Sequence, residues 1–338
     1  MQNTSLSMIG NVLMKAPGAR WGISPVAALG VCLLAVIPFA LSDYQVFQLT
    51  LIVANSIALL GLNLLTGYNG QISLGHGAFY AAGAYTTAIL MDKFGIPYWM
   101  TIPVSGAICY GLGVAVGYPA LRLEGLYLAL VTFAMGICVP QILKYKHFEH
   151  YTGGVQGIVL SKPDAPFGLP ITPDHWLFLL TLVIMVGLFI AAKNLLSGHT
   201  GKALIAIRDN AIAAGAMGID TARYKTTTFG ISAMYTGIAG SLCSLAIQFV
   251  APDSFSALSI SFLVGIVVGG LASISGAIYG AIFIQFVPHL AENISKAAPS
   301  AIFGLLLIGF VYLLPFGIAG TIKKLQLQFQ ARRAAKVP

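Results

Sequence analysis

Ten stretches of this sequence are apolar over a length that can cross a lipid bilayer, and nothing constrains the fold more. A helix needs about 20 mostly apolar residues to traverse a hydrocarbon core about 30 Å thick. The ten stretches, two of them short, lie near residues 22–41, 46–65, 72–91, 98–118, 126–143, 175–192, 226–250, 258–272, 276–290 and 300–320. In lipid every backbone N–H and C=O must be satisfied internally, which favours helices. The expected fold is therefore all-α and polytopic, with about ten transmembrane helices. Only 8% of the residues are charged, against about 25% in a soluble domain. A folded surface exposed to water needs more charge than that. A cytosolic enzyme, a nucleic-acid binder and a disordered chain are all excluded.

The net charge of +8 suits an anionic partner, and its distribution identifies that partner as the membrane. Lys and Arg concentrate in cytoplasmic loops. With a cytoplasmic N-terminus and ten spans, thirteen of the 18 basic residues fall on the cytoplasmic side. Both termini are then cytoplasmic. The first apolar run, Trp21 to Leu41, exceeds the ~7–15 residues of a signal peptide's core and reads as a retained helix. The chain reads as a single membrane domain over 1–338. It has a cytoplasmic segment at 1–21, an extracytoplasmic loop at 144–174 rich in proline, a basic cytoplasmic loop at 193–225 and a basic cytoplasmic tail at 321–338.

The missing chemistry narrows the function. No GxxxxGK[ST] phosphate-binding loop occurs, so the chain has no P-loop of its own for ATP. No carboxylate lies within a span, which weakens a proton-driven carrier. Cys32, Cys109, Cys138 and Cys243 sit in apolar runs without a CxxC pattern and read as buried fillers. His147 and His150 read as solvated loop residues. No metal ligand set, catalytic arrangement or cofactor is expected.

Two segments are informative. GLNLLTGYNGQISLGHGAFYAAGAY (61–85) joins the second and third spans through a Gly- and Asn-rich turn at 66–71. Ser73, His76, Tyr80, Gly83 and Thr87 then recur at steps of three and four, which places them on one helix face. Ser56 and Asn63, seven apart on the second span, share a face too. Ser56, Asn63, Ser73, His76, Tyr80 and Thr87 are candidates to line a translocation path; the competing reading is hydrogen bonding between helices. The second segment, GKALIAIRDNAIAAGAMGIDTARYK (201–225), predicts one cytoplasmic helix from about Lys202 to Met217, stopped by Gly218. It is too polar to cross lipid, and Ala203, Ala211, Ala214 and Gly215 offer small side chains to press into a partner's groove. Gly113/Gly117, Gly265/Gly269 and Gly276/Gly280 form GxxxG pairs that let helix backbones approach. Pro103, Pro140 and Pro288 are expected to kink or end helices.

These segments, with PALRLEGLYLALVT (119–132), TGGVQGI (152–158) and LVGIVVGGLASISGAIYGA (263–281), resemble the LIV-type permeases. Those are the inner-membrane subunits of bacterial branched-chain amino acid ABC importers, and the likeness is greater to the second of their two permease types. It covers about residues 50–320. The resemblance implies an ABC importer permease fold and no ATPase activity of the chain's own. It implies two ATP-binding subunits, a second homologous permease and a periplasmic solute-binding protein as partners. It also implies a coupling helix at 201–219, carried here by Lys202, Ala203, Arg208, Asp209, Ala213, Ala214 and Gly218. Ile212 stands where the family often has a carboxylate. The implied solutes are branched-chain or other amino acids, with urea, short amides or small aromatic and other carboxylates as alternatives. A stand-alone secondary carrier is the remaining reading.

Overall fold

The computed structural model describes residues 30, 34–121, 123, 125–163, 165, 171–294 and 299–334. Helices dominate. The long ones are α1 (Asp43–Asn63), α2 (His76–Phe94), α3 (Tyr98–Ala120), α4 (Leu126–Leu143) and α5 (Pro173–Ser197). Two shorter ones follow, α6 (His199–Asp209) and α7 (Ala211–Ala216). The chain then runs through α8 (Thr221–Ile247), α9 (Leu258–Gly269), α10 (Ile274–Ile294), α11 (Pro299–Leu313) and α12 (Gly317–Ala334).

Local signals set the boundaries. Ser42 N–H donates to Gln45 Oε1 at the start of α1, and Asp220 Oδ1 accepts from Arg223 N–H at the start of α8. Side-chain oxygens of this kind satisfy the orphan amides of a first turn. Pro173 opens α5 behind a Thr172 cap, where its missing N–H is harmless. Pro103, Pro140 and Pro288 lie inside α3, α4 and α10 and end none of them.

Among the described residues, seven helical stretches are long and apolar enough to cross a membrane: 43–68, 98–120, 126–143, 173–197, 221–247, 252–269 and 274–292. The other three expected spans differ. Most of 22–41 lies outside the described residues. The stretch 72–91 becomes α2, which begins only at His76 because 71–75 are irregular and not helical. The stretch 300–320 breaks after Leu313 into α11 and α12, which are separated around Pro315.

Helix α8 is the central post. Its span is 83% buried, against 28% for α4 at the periphery. Around it stand α1, α2 and α3. Glycine sets the spacing. A Cβ at Gly83 of α2 would lie 2.0 Å from Gly237 O, and one at Gly240 of α8 would lie 2.1 Å from Tyr80 O. Backbone therefore meets backbone along this seam. The GxxxG pairs behave likewise. Gly113 and Gly117 of α3 receive Ala233 and Phe229 of α8. A Cβ on Gly269 of α9 would lie 2.0 Å from Gly276 O, and one on Gly280 of α10 would lie 2.2 Å from Gly265 O.

At one end of the bundle, Ile158–Val159 pairs antiparallel with Phe249–Val250. This folds residues 144–163 over the end of α8. The TGGVQGI run makes the fold-over possible: Gly153 and Gly157 have φ of +69° and +74°, and a Cβ on Gly157 would strike Val250 O. Lys144 forms an ion pair with Asp253 across the same cap. Residues 199–220 and the α9–α10 connection occupy the opposite end.

Candidate functional site

His76 and Thr87 of α2 do not face an open channel; they face α8. Ser232 Oγ donates to Gly61 O (2.6 Å), so it accepts from His76 Nε2–H at 2.6 Å. His76 Nδ1 is then left to accept from Ser73 Oγ at 3.0 Å. Thr87 and Ser241 pair their hydroxyls at 2.6 Å. Ser73, His76 and Thr87 are all fully buried. Ser56 is buried and donates to its own helix at Ile52 O. Ser73 precedes α2, so it meets His76 across the helix start and not along a face.

Asn63 spends both ends of its amide on the α9–α10 connection. Its Nδ2 donates to Ser273 O at 2.8 Å and its Oδ1 accepts from Ala272 N–H at 2.9 Å. Of the six path candidates, Tyr80 lines a cavity that the other five do not border. This cavity, about 240 Å³, lies between α1, α2, α8, the 249–258 segment and α10. Leu51, Ala84, Ile247, Phe255 and Leu258 are among its apolar lining residues. Its polar groups are Asn55, Tyr80, Ser244, Ser254 and Gln285, none of them charged at neutral pH. Tyr80 donates to Asn55 Oδ1 at 3.1 Å, which leaves the Asn55 N–H₂ available to the cavity. Asn55, Ser244 and Gln285 escaped the sequence reading. Asn55 adjoins the candidate Ser56 but points elsewhere, Ser244 and Gln285 lie in mostly apolar runs, and only the packing shows that three helices bring them together.

The cytoplasmic helix expected over 202–217 is two helices. Asn210 breaks it, because its side chain caps the second by accepting from Ala213 N–H at 3.0 Å, an alternative to helix that Asn takes readily. Gly218, at φ +84°, ends α7. Its N–H bonds Gly215 O while Ile219 N–H bonds Ala214 O, the paired bonds of a Schellman stop. Orientation also differs from expectation. Ala203 and Ala214 are 7% and 4% exposed and pack inward, since α6 buries Gly201, Ala203, Leu204 and Ile207. The exposed residues include Lys202, Arg208, Asp209, Ala213, Gly215 and Gly218. With them stand two large apolar side chains, Ile212 and Met217, 88% and 83% exposed. These were missed as a pair, although two large apolar residues five apart in a basic loop are a signal in themselves. Arg208, exposed as well, turns its Nη1 toward the bundle, 3.1 Å from Gly67 O.

Among the described residues no group of His, Cys, Asp or Glu is placed to hold a metal. Cys109 and Cys243 are buried as expected, whereas Cys138 is exposed on α4.

Comparison with known proteins fits this architecture. Residues 45–314 match the family described as branched-chain amino acid transport system / permease component. The high-affinity branched-chain amino acid transport system permease protein LivM of Escherichia coli K12 is 33% identical over 81% of this chain and 70% of its own length. The LivM of Salmonella typhimurium is 31% identical over the same shares. The probable branched-chain amino acid transport permease protein LivH of Methanocaldococcus jannaschii is 25% identical over 83% and 93%. With several helices apolar enough to cross a bilayer and a family match across most of its length, the chain is a multi-pass membrane protein that belongs to the branched-chain amino acid transport permease family.

Proposed function

We propose that this chain is one permease subunit of an ATP-driven importer in a bacterial inner membrane, with both termini in the cytoplasm. Its partners are a second homologous permease, two ATP-binding subunits and a periplasmic solute-binding protein. Its cargo is a branched-chain or other small amino acid, the solute class that its relatives' names carry. The chain contributes no catalytic site. ATP is bound and cleaved by the partner subunits, and 1–338 works as one transmembrane domain.

The observation that carries this reading is the seating of α6 and α7. A helix pair anchored by a buried face, with Ile212 and Met217 projecting from it, is a socketed knob that a stand-alone carrier has no use for. The surface of α7, with Lys202 and Asp209 beside it, is the docking face for an ATP-binding subunit. The cavity bordered by Tyr80, Asn55, Ser244 and Gln285 is a section of the solute path. Ser56, Asn63, Ser73, His76 and Thr87 hold the walls of that path in place. The cavity's uncharged, mostly apolar lining suits an aliphatic side chain and offers no fixed charge to trap one.

Co-purification of the tagged chain from native membranes in mild detergent tests the reading. Two P-loop ATPases and a second permease are the expected companions. Recovery of the chain alone, still transporting in liposomes without ATP, refutes it.

A further inference from the structure

We infer that Arg208 is the positioning residue through which movement of the 199–220 segment reaches the membrane spans. The route passes through the turn that ends α1 and through Asn63. This inference rests on the importer reading above.

Three segments distant in sequence converge on one backbone unit. α1 does not stop at Asn63; Leu64–Tyr68 continue it as a single π-helical turn, a geometry that clusters at functional sites. Gly67 lies in that turn. On one side its carbonyl accepts from Arg208 Nη1 (3.1 Å). The guanidinium is held for this by Asp209, whose Oδ1 takes Nε at 3.0 Å and Nη2 at 2.9 Å. The Arg208 stem lies across the next glycine, since a Cβ at Gly70 would be 2.8 Å from Arg208 Cγ. On its other side Gly67 is pressed against two more groups. A Cβ there would stand 2.1 Å from Asn63 Oδ1 and 2.5 Å from Ala272 N. Asn63 and Ala272 are themselves bonded, and Asn63 also holds Ser273 O. Ala272 has φ of +55°, uncommon for a residue with a side chain, so the reversal between α9 and α10 is held in a conformation it would not adopt freely.

The result is a continuous chain of contacts, Asp209 to Arg208, Arg208 to Gly67, and Gly67 against Asn63 and Ala272, with the last of them the tightest. Displacement of α6 along the Arg208 fork moves the Gly67 carbonyl. Gly67 has no free space toward Asn63 and Ala272, so the displacement passes into the α9–α10 connection. The two glycine-zipped helices behind that connection then move together. Docking takes place at Ile212 and Met217; Arg208, itself partly exposed, works through its Nη1 contact with Gly67 O.

The test uses the whole importer, with its binding protein, in proteoliposomes, and measures radiolabelled leucine uptake and ATP hydrolysis in the same vesicles. Arg208→Gln is expected to lower leucine imported per ATP hydrolysed by at least about threefold, within the range of coupling changes seen for residues between sites. The ATP-binding subunits should still co-purify at the wild-type ratio. Arg208→Lys keeps the charge but not the fork, and should recover only part of the loss. Asn63→Ala combined with Arg208→Gln should be no worse than the more severe single variant, as expected of one connected unit. An unchanged leucine-to-ATP ratio in Arg208→Gln overturns the inference. So does loss of the ATP-binding subunits from that variant, which would make Arg208 a docking contact. Strictly multiplicative losses in the double variant also overturn it. If Asn63→Ala does not fold, Arg208→Gln decides alone. Wild-type uptake without ATP would instead refute the importer reading.

Discussion

Ile212→Ser separates docking from folding. Ile212 is 88% exposed, so the chain's own stability rests little on it, and surface substitutions of this kind shift folding by about 0.5 kcal/mol or less. If an ATP-binding subunit covers the side chain, the loss is the transfer of an isoleucine from water to an apolar groove. That transfer contributes about 1.5–3 kcal/mol for a fully exposed side chain, and the exposed share brings it to about 1.3–2.6 kcal/mol. The subunit should therefore bind roughly 9- to 80-fold more weakly. The assay is a titration of the labelled ATP-binding subunit onto the purified permease pair, with thermal unfolding of the permease run in parallel. Ala214→Glu is the contrasting variant. Ala214 is 4% exposed, so a carboxylate there disrupts the permease itself, and thermal unfolding should report that loss. Ile212→Ser binding within twofold of wild type would refute the docking face.

Three further outcomes are expected. Gly83→Leu forces a side chain where even a Cβ lies 2.0 Å from Gly237 O; it should cost more than the ~1–3 kcal/mol typical of overpacking, and an unchanged melting temperature would contradict the backbone-to-backbone seam. Tyr80→Phe removes the donor to Asn55 without changing shape, so folded yield should hold while the apparent KM for uptake shifts; identical uptake kinetics would remove the cavity from the path. A cysteine at Val155, 65% exposed, should react with an impermeant thiol reagent from outside intact cells and one at Ile212 only after lysis, and the reverse pattern would invert the topology.

What was legible in the sequence was what hydropathy and small-residue spacing encode. The GxxxG pairs predicted close helix approach, and the structure sets two of them face to face. The stop at Gly218 was legible because a Schellman turn is local chemistry. The break at Asn210 was less so: asparagine is tolerated within a helix, and only capping of Ala213 N–H made the second start the better state. The polar stripe of α2 illustrates a different limit. Periodicity placed His76, Tyr80 and Thr87 on one face but carried no information on what that face meets. That depends on Ser232 and Ser241, more than 150 residues away. Asn63 shows the same limit, since its partners at 270–273 become neighbours only through tertiary packing.

The buried central post also bears on how the protein is made. The span of α8 is among the least apolar of the seven, with a mean hydropathy of 1.4, and it carries Thr228, Ser232, Thr236, Ser241 and Ser244 into the interior. Such a helix is a poor candidate to leave the translocon into lipid by itself. The groups that satisfy it, Gly61 O, His76 and Thr87, belong to helices synthesised earlier. By the time α8 emerges, a slot lined with its partners is already waiting, so the order of synthesis matches the order of assembly. A ribosome stalled before Thr221 would leave that slot open to lipid with its hydrogen-bonding groups unmatched, a state that quality-control proteases can recognise as incomplete.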